Sequence, residues 1–241
     1  MAQAQRLKLT AEAGEIRART ILDSISLSPL PPRPEISQDL IAEYGMGEVA
    51  YHFILSMIER GEAPKHADLL ERYLAVVWSE GKTDTHIQAG MLFYQGDGLP
   101  QNKSIALKFW LRAAEAGHRT SQYTVGCMLR TGDGVPRDVK AALLWYEAAA
   151  NQDHELAQRT LGILHNTGDG TPLNHVKAAF WFGRAGKLGD KPSEYNLAIM
   201  RMQGVGVPFD GKRGLEMMKK LASSGFEPAV KMLEELNSSP R

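Results

Sequence analysis

Apolar and polar positions recur along this chain with a period of 36 residues. In each unit an apolar stretch of helical spacing precedes a pair of glycines, a proline and a short polar residue, and a second apolar stretch follows. Small, large and small residues stand at offsets of 0, 4 and 7 in that second stretch, which places them on one helical face. Each unit is therefore predicted to form a first helix (helix A), a glycine turn and a second helix (helix B).

The residues of the turn keep their register from unit to unit. The structural glycines of the turns are Gly96, Gly98, Gly132, Gly134, Gly168, Gly170, Gly204 and Gly206. Two residues after each proline stands a side chain that can accept a hydrogen bond from the exposed N–H groups of a helix start: Asn102, Asp138, Asn174 or Asp210. Because glycine adopts positive φ at no steric cost, a helix-to-helix turn explains this composition.

Large side chains of helix B share a helical register, which predicts a core. Trp110, Tyr146 and Phe182 occupy one register position, and Trp145 and Trp181 are also expected to pack in the core. Cys127 stands among apolar helical residues, where a free cysteine commonly packs. Trp78 is less regular and is the first candidate for an unusual contact.

The same period divides the chain into segments. Residues 1–35 are predicted to hold an N-terminal helix and a Pro-rich strap, and residues 36–83 a leading helix and a degenerate repeat. Four full repeats follow in residues 84–226, and residues 227–241 hold a capping helix and tail. The predicted fold class is all-α, a solenoid of stacked helix-turn-helix repeats.

At this level of detail the sequence resembles the Sel-one-like repeat (SLR) family, a relative of the tetratricopeptide repeat (TPR). The resemblance rests on a Gly-x-Gly-Val loop, a Lys-Ala pair, a Trp-Tyr pair and an Ala-Ala pair, and it covers about residues 84–226. In one repeat these stand at Gly132 to Val135, Lys140-Ala141, Trp145-Tyr146 and Ala149-Ala150, and Leu161-Gly162 supplies the Leu-Gly pair of the next. Val205 and Met217-Met218 depart from the pattern. The resemblance implies a superhelix of helix pairs, an adaptor role in protein complexes and no shared catalytic residue.

Composition and charge narrow the choice of partners and compartment. The 28 basic and 28 acidic side chains cancel, so the large positive field that favours nucleic acid is absent. No apolar run approaches the length of a membrane span, so membrane insertion is not expected. A single cysteine favours an intracellular, reducing compartment. The cytoplasm is preferred, and mitochondrial import without a cleaved presequence is the alternative.

Candidate chemistry does not assemble into a catalytic or metal site. Each Gly-Asp-Gly loop offers one carboxylate, and no P-loop lysine follows it. His118 and His154 share a register but are expected to be turn residues, too far apart to share a zinc ion. The interpretation is a protein without cofactor or metal that is not an enzyme.

Polar residues on helix A mark the candidate partner-binding surface. Polar rows recur at fixed helix positions beside the small residues of the core, where they can hydrogen-bond an extended peptide, and a variable row beside them, with Tyr94, Arg130 and Asn166, can select side chains. The candidates are Gln88, Tyr94, Gln95, Thr124, Arg130, Thr131, Thr160, Asn166, Thr167 and Asn196.

The leading hypothesis is a scaffold that binds partner proteins, as peptides or folded domains, to assemble or regulate a complex. The alternatives are a permanent structural subunit of a large assembly, anchored by the N-terminal segment, and an unrecognised enzyme or metal protein.

Overall fold

The computed structural model describes residues 50–52, 54–55, 74, 76–77 and 82–238. Residues 82–238 form a series of nine helices, and this part of the chain contains no strand. The helices are α1 Thr83–Gln95, α2 Lys103–Glu115, α3 Arg119–Thr131, α4 Val139–Asn151, α5 Glu155–Thr167, α6 His175–Lys187, α7 Lys191–Gln203, α8 Gly211–Ser223 and α9 Glu227–Ser238. Odd-numbered helices are the predicted A helices, and even-numbered helices are the B helices.

Successive helices pack on one another within α1–α3 and within α5–α9. The chain divides into two compact units, residues 1–145 and 146–241, and the boundary falls inside α4. In the first unit α1 packs on α2 and α2 on α3. In the second, packing runs from α5 through α6, α7 and α8 to α9, and α5 also touches α7. The predicted all-α solenoid is thereby confirmed. That residues 84–226 form one domain stays a prediction.

Each A-to-B turn closes with the same backbone hydrogen bonds. In the turn after α3, Gly132 has a φ of 75° and donates its N–H to the carbonyl of Met128. Asp138 then donates its backbone N–H to the carbonyl of Leu129 at 2.8 Å, and its side chain caps α4 by accepting from the N–H of Ala141. The equivalent backbone bond recurs at Asn102, Asn174 and Asp210.

The second glycine of the turn is required by a close approach as well as by its φ. Gly134 and Gly206 have φ values of 78° and 69°. A Cβ atom at Gly134 would collide with the side chain of Lys103, and one at Gly206 would collide with the carbonyl of His175. Lys103 and His175 are the first residues of α2 and α6, so this glycine seats the turn against the B helix of the preceding repeat.

Inside a repeat, an aromatic ring of helix B lies on a glycine of helix A. A Cβ atom at Gly90 would stand 2.5 Å from the indole nitrogen of Trp110, and one at Gly162 would stand 2.6 Å from the ring of Phe182. These glycines let the two helices approach closely enough to bury both rings.

Two positions differ from their predicted burial. Trp181 is buried, but Trp145 is only half-buried, and the fully buried aromatic residue of that repeat is its neighbour Tyr146. Cys127 is also half-buried, because its register position lies on the edge of the exposed side of helix A.

Several predictions concern residues outside the described part of the chain. They include the N-terminal helix and Pro-rich strap of residues 1–35 and the contact expected of Trp78. In the predicted degenerate repeat, the described residues 50–52, 54–55, 74 and 76–77 are helical.

Candidate protein-binding surface

One side of every A helix is left uncovered by its neighbours in the chain. Positions spaced by 4, 3 and 4 residues share one helical face, and none of the residues at these positions is buried. We call this face the A strip. Its members are Asp84, Gln88, Met91 and Gln95 in α1, Thr120, Thr124, Cys127 and Thr131 in α3, Leu156, Thr160, Ile163 and Thr167 in α5, and Pro192, Asn196, Ile199 and Gln203 in α7.

Seven of the ten predicted partner-binding residues belong to the A strip. Gln88, Gln95, Thr131 and Thr167 are exposed, whereas Thr124, Thr160 and Asn196 are partly exposed. The structure therefore leaves these side chains accessible to a partner, and their role in binding stays a prediction.

Four threonines of the strip already use their hydroxyl hydrogens inside their own helices. Thr160 donates its hydroxyl to the carbonyl of Leu156 at 2.7 Å, and Thr167 donates to that of Ile163 at 3.0 Å. Thr124 and Thr131 form the same bonds within α3. A hydroxyl has one hydrogen, and each is already used inside its own helix.

The strip also carries an apolar row that sequence reasoning missed. Met91 is 46% exposed and Ile163 is 44% exposed, and Cys127 and Ile199 at the same register are half-buried. The sequence signal was available. Each of these apolar positions has a polar residue three positions before it and another four positions after it, as a solvent-facing position does. With the threonine hydrogens occupied, α3 and α5 present a largely apolar strip, whereas α1 and α7 present side-chain amides.

The other three predicted residues form a second row, and two of its side chains have partners within the fold. Tyr94 donates its hydroxyl to the carboxylate of Asp133 at 2.9 Å, and Asn166 lies 3.0 Å from the Nδ1 of His175. At Arg130 only the backbone carbonyl is engaged, by a hydrogen bond from Arg137. Tyr94 and Asn166 are therefore less available to a partner than the side chains of the A strip.

The aspartate of the glycine turn has a structural partner. Asp133 lies 2.7 Å from the ammonium of Lys103, which begins α2 in the preceding repeat. The hydrogen bonds from Lys103 and Tyr94 lower the pKa of the Asp133 carboxyl, and the bond to Asp133 raises the pKa of Tyr94. This carboxylate therefore joins two repeats.

Neither a metal site nor a membrane span emerges from the described residues. They contain no group of three His, Cys, Asp or Glu side chains placed to hold a metal ion. None of the helices in this part of the chain is both long and apolar enough to cross a bilayer. His118 and His154 are N-caps of two different helices, α3 and α5, where each Nδ1 accepts a backbone N–H from its own helix.

Two solved structures resemble this chain. A Sel1 repeat protein from Oxalobacter formigenes is 28% identical, with a TM-score of 0.60, and the match covers 73% of this chain and 72% of that protein. The protective antigen c5321 of uropathogenic Escherichia coli, which displays an SLR fold, is 24% identical, with a TM-score of 0.62. That match covers 81% of this chain but only 42% of the antigen, so it shows the fold alone. No curated protein matches the sequence.

The family assignment rests on four consecutive matches. The Sel1 repeat pattern is found at residues 84–118, 120–154, 156–190 and 191–226, more than half of the chain. Proteins built from this repeat are generally protein-interaction scaffolds, and the repeat suggests a non-catalytic role. By its repeats and its fold, this chain belongs to the Sel1 repeat family.

Proposed function

We propose that this protein is a non-enzymatic scaffold that binds a partner protein along its A strips. The observation that carries the proposal is the exposed apolar row, since Met91 and Ile163 are each more than 40% exposed on helices that have other apolar faces for the core. Apolar side chains that the fold leaves at the surface in register are a common mark of a protein-binding surface.

The chemistry of the strip suggests how a partner is held. In α5, Leu156 and Ile163 are exposed and suit apolar side chains of a partner. In α1 and α7 the amides of Gln88, Gln95 and Asn196 can both donate and accept, which suits a peptide backbone. Within a strip, apolar side chains therefore select side chains of the partner, and amides hold its main chain.

Site-specific crosslinking in the native host tests the proposal. A photoreactive amino acid replaces Ile163 in the strip or, as the control, Glu115, which is exposed on the B helix α2. We expect a defined crosslinked partner from position 163 and none from position 115. The partner is then purified, and its binding to the wild type, Ile163→Glu and the matched surface variant Leu236→Glu is measured by calorimetry.

Binding lost in Ile163→Glu and kept in Leu236→Glu supports the A strip. Binding that survives Ile163→Glu combined with Thr124→Glu and Thr160→Glu, in a protein whose melting curve is unchanged, rejects the strip as the docking surface. A stoichiometric complex that withstands high salt and all strip changes favours the permanent structural subunit instead.

A further inference from the structure

A second apolar surface lies on a B helix, away from the A strips. Leu173, two residues before α6, and Val176 and Phe180, in its first half, are 59%, 68% and 57% exposed. Gly183 and Lys187 continue this line with spacings of 3 and 4 residues. We call the line Leu173, Val176, Phe180, Gly183 and Lys187 the α6 face.

The repeat itself does not require apolar residues at these positions. The residues in the same register are Gln101, Ser104 and Lys108 in the first repeat, Arg137, Lys140 and Leu144 in the second, and Phe209, Lys212 and Glu216 in the fourth. The packing of α6 is meanwhile satisfied by other side chains, because Trp181, Phe182 and Ala185 are all buried. The α6 face is therefore an addition to the fold rather than part of its core.

Positive charge lies on the same helix as this apolar line. Helix α6 contains Lys177, Arg184 and Lys187 and no Asp or Glu. Lys177 and Lys187 are exposed.

Two of these charges already have partners within the second unit. Arg184 forms an ion pair with Asp153 at 2.6 Å, and Lys177 acts on the carboxyl of Glu147, opposing the rise in its pKa that burial causes. Among the described residues, no ion pair is found for Lys187, so its ammonium group is available to an acidic ligand.

We propose that the α6 face docks an acidic amphipathic helix of a partner protein. The proposal rests on the proposed scaffold function and adds a second surface to it. An apolar line with a polar rim is the usual anatomy of a protein interface, and spacings of 3 and 4 residues match the ridge of a helix laid alongside. The lysines of the rim complement carboxylates of the incoming helix.

A protein segment fits this face better than an anionic membrane does. Arg184 is on the same helix as the apolar line. Its ion-pair partner Asp153 has a side chain that is 61% exposed. A sheet of lipid phosphates would repel that carboxylate, because a bilayer presents negative charge across its whole surface. A peptide can place its own charges to avoid it.

Binding of a designed peptide tests the inference on the full-length protein. The probe is a fluorescent synthetic helix of about 18 residues with leucines spaced by 3 and 4 positions and glutamates on its flanks. A second probe carries lysine in place of every glutamate. We expect saturable binding of the acidic probe, measured by fluorescence anisotropy, which weakens as salt rises, and no binding of the basic probe.

Variants locate the binding. Val176→Ser with Phe180→Ser, and separately Lys187→Glu, should each weaken binding at least about tenfold, because they remove the apolar line or reverse the charge at its end. Leu236→Ser, on exposed α9, is the matched control and should bind as the wild type does. Thermal melting by circular dichroism checks that every variant is folded.

Three outcomes overturn the inference. The first is no saturable binding of the acidic probe, and the second is binding that the α6 variants leave intact. The third is binding of phosphatidylserine vesicles that depends on the α6 residues while the acidic probe does not bind. Failure here leaves the A strip untouched, since crosslinking from position 163 is an independent measurement.

Discussion

At the scale of single residues, the least satisfied side chain in the described part of the chain is His165. It is 4% exposed, and neither of its ring nitrogens has a hydrogen-bond partner. The same register position holds Phe93 in the first repeat and Leu129 in the second, so an apolar side chain fits this place in the fold. Burial, and then the charge of Lys177, lower the pKa of His165.

Replacing this histidine should stabilise the protein. The folded protein binds a proton at His165 less readily than the unfolded chain, so stability falls as the pH drops through the unfolded value of about 6.5. We expect His165→Leu to raise the free energy of unfolding by about 1 kcal/mol at pH 7, because an unsatisfied polar group leaves the core. The gain should grow between pH 7 and pH 5.5.

Urea unfolding at several pH values measures this effect. His175→Leu is the control, because His175 is only partly buried and its Nδ1 lies near Asn166. A His165→Leu variant that is less stable than the wild type at pH 5.5 would show that a polar partner serves the imidazole in solution.

At the scale of helices, the ends are set by side-chain caps whose chemistry changes from repeat to repeat. His118 accepts the backbone N–H of Ser121, whereas Asp190, two repeats later, accepts both the N–H and the hydroxyl of Ser193. Asp190 is also buried and lies 2.7 Å from Arg159 of α5. The aspartate therefore caps α7 and joins it to the preceding A helix.

Removing the two caps should lower the free energy of unfolding by different amounts. We expect His118→Ala to lower the free energy of unfolding by about 1 kcal/mol, the usual value of an N-cap. Asp190→Ala should cost about 2–4 kcal/mol, because it also removes hydrogen bonds to a buried carboxylate and leaves Arg159 without its partner. Chemical denaturation at pH 7.5 measures both, and Asp190→Asn, which keeps a capping oxygen, should fall between them. Equal losses in the two alanine variants would mean that the Arg159 pair contributes nothing.

The elements could be predicted from sequence because the repeat fixes glycine, proline and cap positions in one register. Gly132 and Asp138 show this, since positive φ and N-capping follow from residue type alone. The surface was harder to predict. Whether Thr160 donates outward or to Leu156 depends on its side-chain rotamer, which the residue pattern of one repeat does not encode. The polar residues at 160 and 167 indicated that position 163 faces solvent, but its degree of exposure depends on where neighbouring helices pass. The same dependence on neighbouring helices explains why Trp145 is less buried than Tyr146.

At the scale of the whole molecule, the second unit shows a core that is divided into local clusters between successive helices. One buried cluster joins α6 and α7 through Phe182 and Met200, and another joins α7, α8 and α9 through Ala198, Met218 and Ala229. In such an array stability is close to a sum of repeat and neighbour terms, so the end of the array depends on its last helix. Helix α9 supplies Ala229, Met232 and Leu233 to the last cluster and so covers the apolar side of α8.

A charge placed under this last helix should therefore unfold the array from its end. Ala229 is fully buried, and Ala229→Asp would place an unpaired carboxylate between α8 and α9 at a cost of at least about 2 kcal/mol. We expect hydrogen exchange measured by mass spectrometry to show protection lost in α9 and α8, a smaller loss in α7, and unchanged protection in α1 and α2. Leu236→Asp, which adds the same charge on the exposed side of α9, should leave the pattern as in the wild type. Equal loss of protection from α1 to α9 in Ala229→Asp would contradict the nearest-neighbour picture, because it would mean that all the described helices unfold in one cooperative step.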